Sequence, residues 1–217
     1  MSSSLLHAQL LLSCLMFTGI IFGWSSMEVI LKNEGQYAEL CPAAKEPAGG
    51  AEYGQLAADQ SCPERIHALE LIFEWGSMMV SIVALPAGML MDSMGTGVTL
   101  LVAGVIQVAG CVLMAMADSQ TFDVFLYAYS LLAVAGALTM FAAFSGAASV
   151  AADVKLAYVS ACSCLFDASV IIFQVFYGLN ILFGVTRQTL FYSYALIATI
   201  LYGSMVADLL HLMRGGW

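Results

Sequence analysis

Against long apolar runs, the side chains able to do chemistry are few: the 217 residues include 15 Asp or Glu, 6 Lys or Arg and 3 His. Asp167 stands in SCLFDASVIIFQVFY with Ser163 and Ser169 beside it and Gln174 two turns on. A carboxyl group at the centre of a membrane helix costs roughly 2.5–3.5 kcal/mol, so it faces a bundle interior or a water-filled path, where it can meet a solute, an ion or a proton. Asp167 therefore reads either as a pathway residue or as a protonated, hydrogen-bonded packing residue. His67, Glu70 and Glu74 recur at i, i+3 and i+7 on one helix face, a spacing that can hold a cation or a proton. In the plainer reading, His67 and Glu70 sit at the membrane interface and only Glu74 is buried.

Other chemistries lack their residues. There is no Ser/His/Asp set, no phosphate-cradling glycine loop and no His/Cys cluster, so neither an enzyme nor a metal site is expected. Cys14, Cys111, Cys162 and Cys164 lie in apolar runs and read as packing residues. Glu70, Gln107, His67 and Gln174 are side chains of the kind that ligate pigments, but their spacing assigns none. No cofactor is expected, and bound lipids or pigments are left unassigned.

The elements that position these residues follow from composition. With 61% hydrophobic and 10% charged residues, a net charge of −9 and a mean hydropathy of +0.91, the chain fits lipid and not a soluble domain. Six runs are long enough to cross a bilayer, at about 5–31, 67–91, 96–117, 122–150, 156–182 and 190–213. They are too long and too unalternating for barrel strands, which predicts an all-α membrane protein of six transmembrane helices in one domain over 1–217. The first run, without a basic segment before it, reads as a retained helix and not a cleaved leader. Alanine and glycine between 133 and 148 let helix backbones approach closely, which predicts a compact core around the fourth run.

An even number of crossings puts both termini on one side, expected to be the cytosolic or stromal-type side, and the 32–66 loop on the other. Counting basic residues alone gives the opposite sense, because Lys32, Lys45, Arg65 and Arg187 fall on the loop side against Lys155 and Arg214. Six carboxylates among the loop lysines and arginine weaken that count. Cys41 and Cys62, each followed by proline, bracket the loop and are expected to form a disulfide that closes it in an oxidising compartment, two unpaired thiols being the alternative. The acidic loop can also serve as a docking surface.

Between the second and third runs, Gly88, Asp92 and Gly95 form G-x-x-x-D-x-x-G in a very short connection. This resembles the signature loop between helices two and three of the major facilitator superfamily. FGWSSMEVILKNEGQYAELC (22–41), LIFEWGSMMVSIVALPAGMLMDSMGT (71–96) and LFDASVIIFQVFY (165–177) are similar to the solute carrier family 43 branch, facilitators of large neutral amino acids, in correct order. The resemblance implies the amino-terminal six-helix (3+3) half of such a fold, with Gly88, Asp92 and Gly95 as a structural turn in which Asp92 accepts backbone N–H bonds. Asp167, Glu74 and Gln174 become pathway candidates. The family's basic residues after the last glycine are replaced by Thr96 and Gly97.

Two functions follow. The chain is a half-transporter for small, neutral, amino-acid-like solutes that works only in an oligomer, paired with a copy of itself as a homodimer or with another six-helix half. Alternatively, it is a non-transporting accessory subunit among unlike subunits of a larger membrane complex, for example an energy-transducing supercomplex. The expected partners are membrane lipids and one of these assemblies; nucleic acid is not among them.

Overall fold

A computed structural model of the chain describes residues 3–41 and 62–214. The acidic segment 42–61, expected to act as a docking surface, lies outside the described residues. The fold is all-helical: α1 (Ser3–Ser13), α2 (Trp24–Asn33), α3 (Pro63–Met116), α4 (Phe125–Ser145), α5 (Lys155–Ala168), α6 (Ile171–Phe183) and α7 (Arg187–Arg214). Five helical stretches are long and apolar enough to cross a membrane: Leu5–Asn33, Pro63–Met116, Phe125–Ser149, Lys155–Phe183 and Arg187–His211. The chain is a multi-pass integral membrane protein. Helix is the form these sequences take in lipid because it satisfies every backbone N–H and C=O within the segment.

The sequence predicts two helices where the structure has the single 54-residue α3. A straight helix of that length would extend about 81 Å, over twice a hydrocarbon core. Instead, a Cβ on Gly76 would lie 2.5 Å from the Tyr129 ring, and one on Gly110 would lie 3.2 Å from the Ala128 carbonyl oxygen. Two positions on opposite sides of Gly95 therefore meet the same turn of α4. The reversal is at Gly95, with φ 77° and ψ 176°, a conformation essentially restricted to glycine. The connection is shorter than expected: one non-helical residue separates 63–94 from 96–116.

The core forms where these segments meet α4. Ala128, Ala133, Ala135, Gly136, Ala142 and Ala143 are buried there, and the backbone of Gly136 passes so close to helix one that a Cβ would sit 2.5 Å from the Thr18 carbonyl oxygen. Small residues thus replace side-chain bulk at the contact, as packing in lipid requires. Phe17, Tyr129, Phe173, Phe191 and Met27 fill the remaining interior.

At one end of the bundle the helix termini are closed by backbone hydrogen bonds, a proline start and a disulfide. Gly35 (φ 76°) closes the end of α2, where Gln36 N–H donates to Leu31 O (3.0 Å) and Gly35 N–H to Lys32 O (3.1 Å). Pro63 starts α3 at a position where its missing N–H costs nothing. The sulfurs of Cys41 and Cys62 are 1.93 Å apart, at disulfide distance, and hold the two helix ends together.

Candidate functional site: the crossing of two broken helices

Helix one is not the single helix that its apolar run predicts. Between α1 and α2 it passes through a π turn (Cys14–Thr18), then Gly19, then a 3-10 turn (Ile20–Gly23). Gly19 lies fourteen residues from either end of the span Leu5–Asn33, which puts the break at mid-membrane. The predicted fifth helix is broken too, at Ser169 and Val170 between α5 and α6, and Ser169 is likewise fourteen residues from either end of Lys155–Phe183.

The two breaks face each other. Gly19 N–H donates to Ser169 Oγ at 2.8 Å, and Ser169 Oγ donates to Phe166 O at 2.6 Å. Neither Gly19 nor Gly23 has room for a Cβ: the first would strike Phe166 O and Ser169 Oγ, the second would lie 2.7 Å from Val170 O. The carbonyl groups freed by the break also find partners. Tyr194 OH donates to Met16 O, Tyr129 OH to Ile21 O, and Thr18 Oγ1 to Cys14 O at 2.6 Å. Irregular backbone at membrane depth survives only when buried in protein or lining a cavity, and here three other helices supply the hydrogen bonds.

Three polar side chains of the apolar spans stand at the surface of the described chain. Asp167, Gln174 and Glu74 are all exposed, and their side chains have no hydrogen-bond or ion-pair partner among the described residues. The expectation that Glu74 is buried is corrected: its position falls on the outer stripe of α3 with His67, Glu70 and Ser81, because Leu69, Ile72 and Gly76 take the inner face. Helix one packs through two ring contacts against the residues that precede the two carboxylates. Half-exposed Phe22 meets Phe166, the residue before Asp167, at 5.8 Å between ring centroids. On the other flank Trp24 stacks on Phe73, the residue before Glu74, at 6.5 Å. Trp24 Nε1 is buried and has no partner among the described residues.

At the α3 reversal, Gly88 and Asp92 occupy the last turns before Gly95. Asp92 is exposed, and the backbone N–H bonds expected for it are not among those of the described residues. The turn is tied instead by Thr99 Oγ1 donating to Gly95 O at 3.0 Å and by a 2.8 Å hydrogen bond between the hydroxyls of Thr96 and Ser145. No group of three or more His, Cys, Asp or Glu able to hold a metal occurs among the described residues.

Several curated proteins are similar to this chain over part of its length. The mouse "Large neutral amino acids transporter small subunit 3" (Mus musculus) is 36% identical over 107 residues, 49% of this chain and 19% of the relative. The bovine "Equilibrative nucleobase transporter 1" (Bos taurus) is 27% identical over 128 residues, 59% of this chain and 25% of the relative. The yeast "Protein FMP42" (Saccharomyces cerevisiae) is 32% identical over 133 residues, 60% of this chain and 24% of the relative. Each match spans a quarter or less of the relative's own length. No family model matches the chain. No solved structure matches it.

The sequence reading missed the clamp at the bundle end that carries Cys41 and Cys62. Arg187, 3% exposed, donates from Nε to Glu34 Oε2 at 2.6 Å, to Met114 O and to Ala117 O at 2.8 Å, and lies 5.1 Å from the centre of the Phe125 ring. Arg65, 2% exposed, donates to Gln36 O and Lys32 O, both at 2.8 Å. Two residues counted only as topology charges are therefore buried caps on helix C-termini, where a cation is favoured. Tyr37 OH donates to Asp123 Oδ1 at 2.6 Å; burial, then that carboxylate, pushes the phenol well above its ordinary pKa. In the next turn Asp118 is held below the usual carboxylate range by hydrogen bonds from Thr121 and Gln120. The one available signal was an arginine at the start of the last apolar run.

Proposed function

We propose that this chain forms one helical bundle of a membrane solute transporter, with the Gly19/Ser169 crossing and the adjoining Asp167 lining the solute path. The observation that carries this reading is the pair of mid-membrane breaks beside an exposed carboxylate. Transporters place substrate sites near the bilayer midplane on discontinuous helices, and the cost of breaking two helices is retained where backbone approaches a ligand. Counted through the reversal at Gly95, the chain crosses six times, in the manner of a six-helix half of a major-facilitator-type fold, with both termini on one side. Its polar face works against a second bundle. The names of two relatives direct the substrate class toward small neutral solutes, amino-acid-like or nucleobase-like.

The test is uptake of leucine-like amino acids and of nucleobases into cells expressing the chain, compared with Asp167→Asn and Gly19→Ala variants present in the membrane in equal amounts. Saturable uptake that both variants reduce about tenfold or more supports the path. Uptake unaffected by either variant would exclude the crossing as the site.

The accessory-subunit reading is favoured by one observation. The reversal at Gly95, where the resembled family carries basic residues, is tied internally through the Thr96–Ser145 bond. An absence of uptake in every membrane tested, with the chain recovered in a stable complex of unlike subunits, selects that reading.

A further inference from the structure

We propose that Asp208, Gln9 and Ser204 form a site for a single monovalent metal cation, sodium or potassium, between helix one and α7. The site is independent of the transporter reading. Asp208 follows Ala198, Tyr202 and Met205 along the buried stripe of α7 and is only 9% exposed, yet its carboxylate has no hydrogen bond or ion pair among the described residues. Ser204, one turn before it, ties this place to helix one, because Gln9 Nε2 donates to Ser204 Oγ at 3.3 Å. Residues four apart on a helix have Cβ atoms about 5–6 Å from each other, so the Asp208 carboxylate and the Gln9 amide both lie within side-chain reach of Ser204. Gln9 Oε1 is buried and has no partner among the described residues. Ser204 gives its own proton to Leu201 O at 2.8 Å, which leaves a lone pair on its oxygen.

Three oxygens thus converge as acceptors with no donor to share, and such groups are costly to bury. One hard cation satisfies them together, since these ions take carboxylate, amide and hydroxyl oxygens as ligands. Charge selects the class: one carboxylate beside two neutral oxygens balances a single positive charge, whereas a divalent ion would leave a buried charge uncompensated. The chain's own cations are engaged or distant. Lys32 pairs with Glu28, Arg65 and Arg187 cap helix ends, and Lys155 opens α5. His211, one turn beyond Asp208, is exposed and makes no ion pair with it among the described residues. A site with one carboxylate also escapes the pattern of clustered His, Cys, Asp and Glu. Gln9 lies four residues inside the start of Leu5–Asn33 and Asp208 three residues before the end of Arg187–His211, so an ion enters from the membrane face. Leu10 and Leu209, the chain neighbours of Gln9 and Asp208, line a cavity of about 310 Å³ with Leu6 and His7. It has room for the waters that complete the shell.

The experiment melts the full chain in lipid nanodiscs in choline chloride and then titrates sodium or potassium chloride at constant total salt. The midpoint is expected to rise saturably with at least one of the two metal salts, as for a ligand that binds only the folded state. Asp208→Asn should abolish that rise and, in choline, melt no lower than the wild type, because an unpaired buried charge has been removed. Gln9→Leu should keep the rise but require about tenfold more salt, the loss of one oxygen ligand. Equal wild-type midpoints in all three salts would overturn the proposal, since the Gln9 amide would then satisfy Asp208 unaided. An equal rise in Asp208→Asn would overturn it as well. So would magnesium chloride reproducing the rise at lower concentration, which assigns a divalent site, or mild acidification in choline matching saturating sodium, which assigns a proton.

Discussion

Ser169 performs two tasks with one oxygen, accepting from Gly19 N–H while donating to Phe166 O. Removing that oxygen leaves a buried amide unsatisfied, which costs about 1–3 kcal/mol. Ser169→Ala should therefore lower the thermal midpoint of the detergent-solubilised protein clearly. Ser163→Ala serves as its control, because Ser163 is exposed and bonds only within its own helix, to Val159 O at 3.2 Å; its effect should stay within about 0.5 kcal/mol. Equal midpoints for the two variants would show that the crossing does not depend on this hydrogen bond. At Arg187, replacement by Lys should be poorly tolerated for a geometric reason. One planar guanidinium reaches Glu34, Met114 O and Ala117 O at once, whereas an ammonium is a point charge without that fork. Arg187→Lys is expected to destabilise by about 2–4 kcal/mol, as when a buried charge network is broken, measured in the same melts.

At the scale of elements, the reversal in α3 separates two kinds of glycine. Gly95 holds a conformation that an L side chain adopts only under strain, so Gly95→Ala should cost about 1–3 kcal/mol. Gly97, helical and with nothing within 4 Å of a Cβ, should gain up to about 1 kcal/mol on the same change, because alanine is the better helix former. Hydrogen-exchange rates across 90–100 distinguish these outcomes. This reversal was legible in the sequence because Gly88, Asp92 and Gly95 interrupt an otherwise continuous apolar run. The break in helix one was not, since Gly19-x-x-x-Gly23 lies within one long, predominantly apolar run, and hydropathy reports depth and not backbone form. Glu74 was misplaced for a related reason: its depth was readable, but which face turns outward depends on where Leu69, Ile72 and Gly76 pack. The arginine caps were hidden because a charge near the end of a span looks the same whether it meets water or a helix terminus.

For the whole molecule, the three pathway candidates named from the sequence stand on its surface. A core of alanines and aromatic rings seals the interior, while Asp167, Gln174 and Glu74 face outward. Under the proposed function, such a bundle offers one wall of a path and exposes that wall to lipid unless something covers it. Alternating access requires closure on both sides of a central site, which a single wall cannot perform. The chain purified as a proven monomer, with free-thiol labelling used to verify that Cys41 and Cys62 resist alkylation until reductant is added, is therefore expected to show no saturable uptake in liposomes. The thiol check belongs in the same experiment because the bridge, worth about 3 kcal/mol in the chain-entropy model, reports that the bundle end was assembled. Saturable uptake of leucine-like amino acids or nucleobases by that monomer would refute the one-wall account and place the complete path inside a single bundle. Uptake that appears only when a covering bundle is co-reconstituted, and that Asp167→Asn abolishes without changing the melting temperature, would assign the outward-facing carboxylate to the solute path.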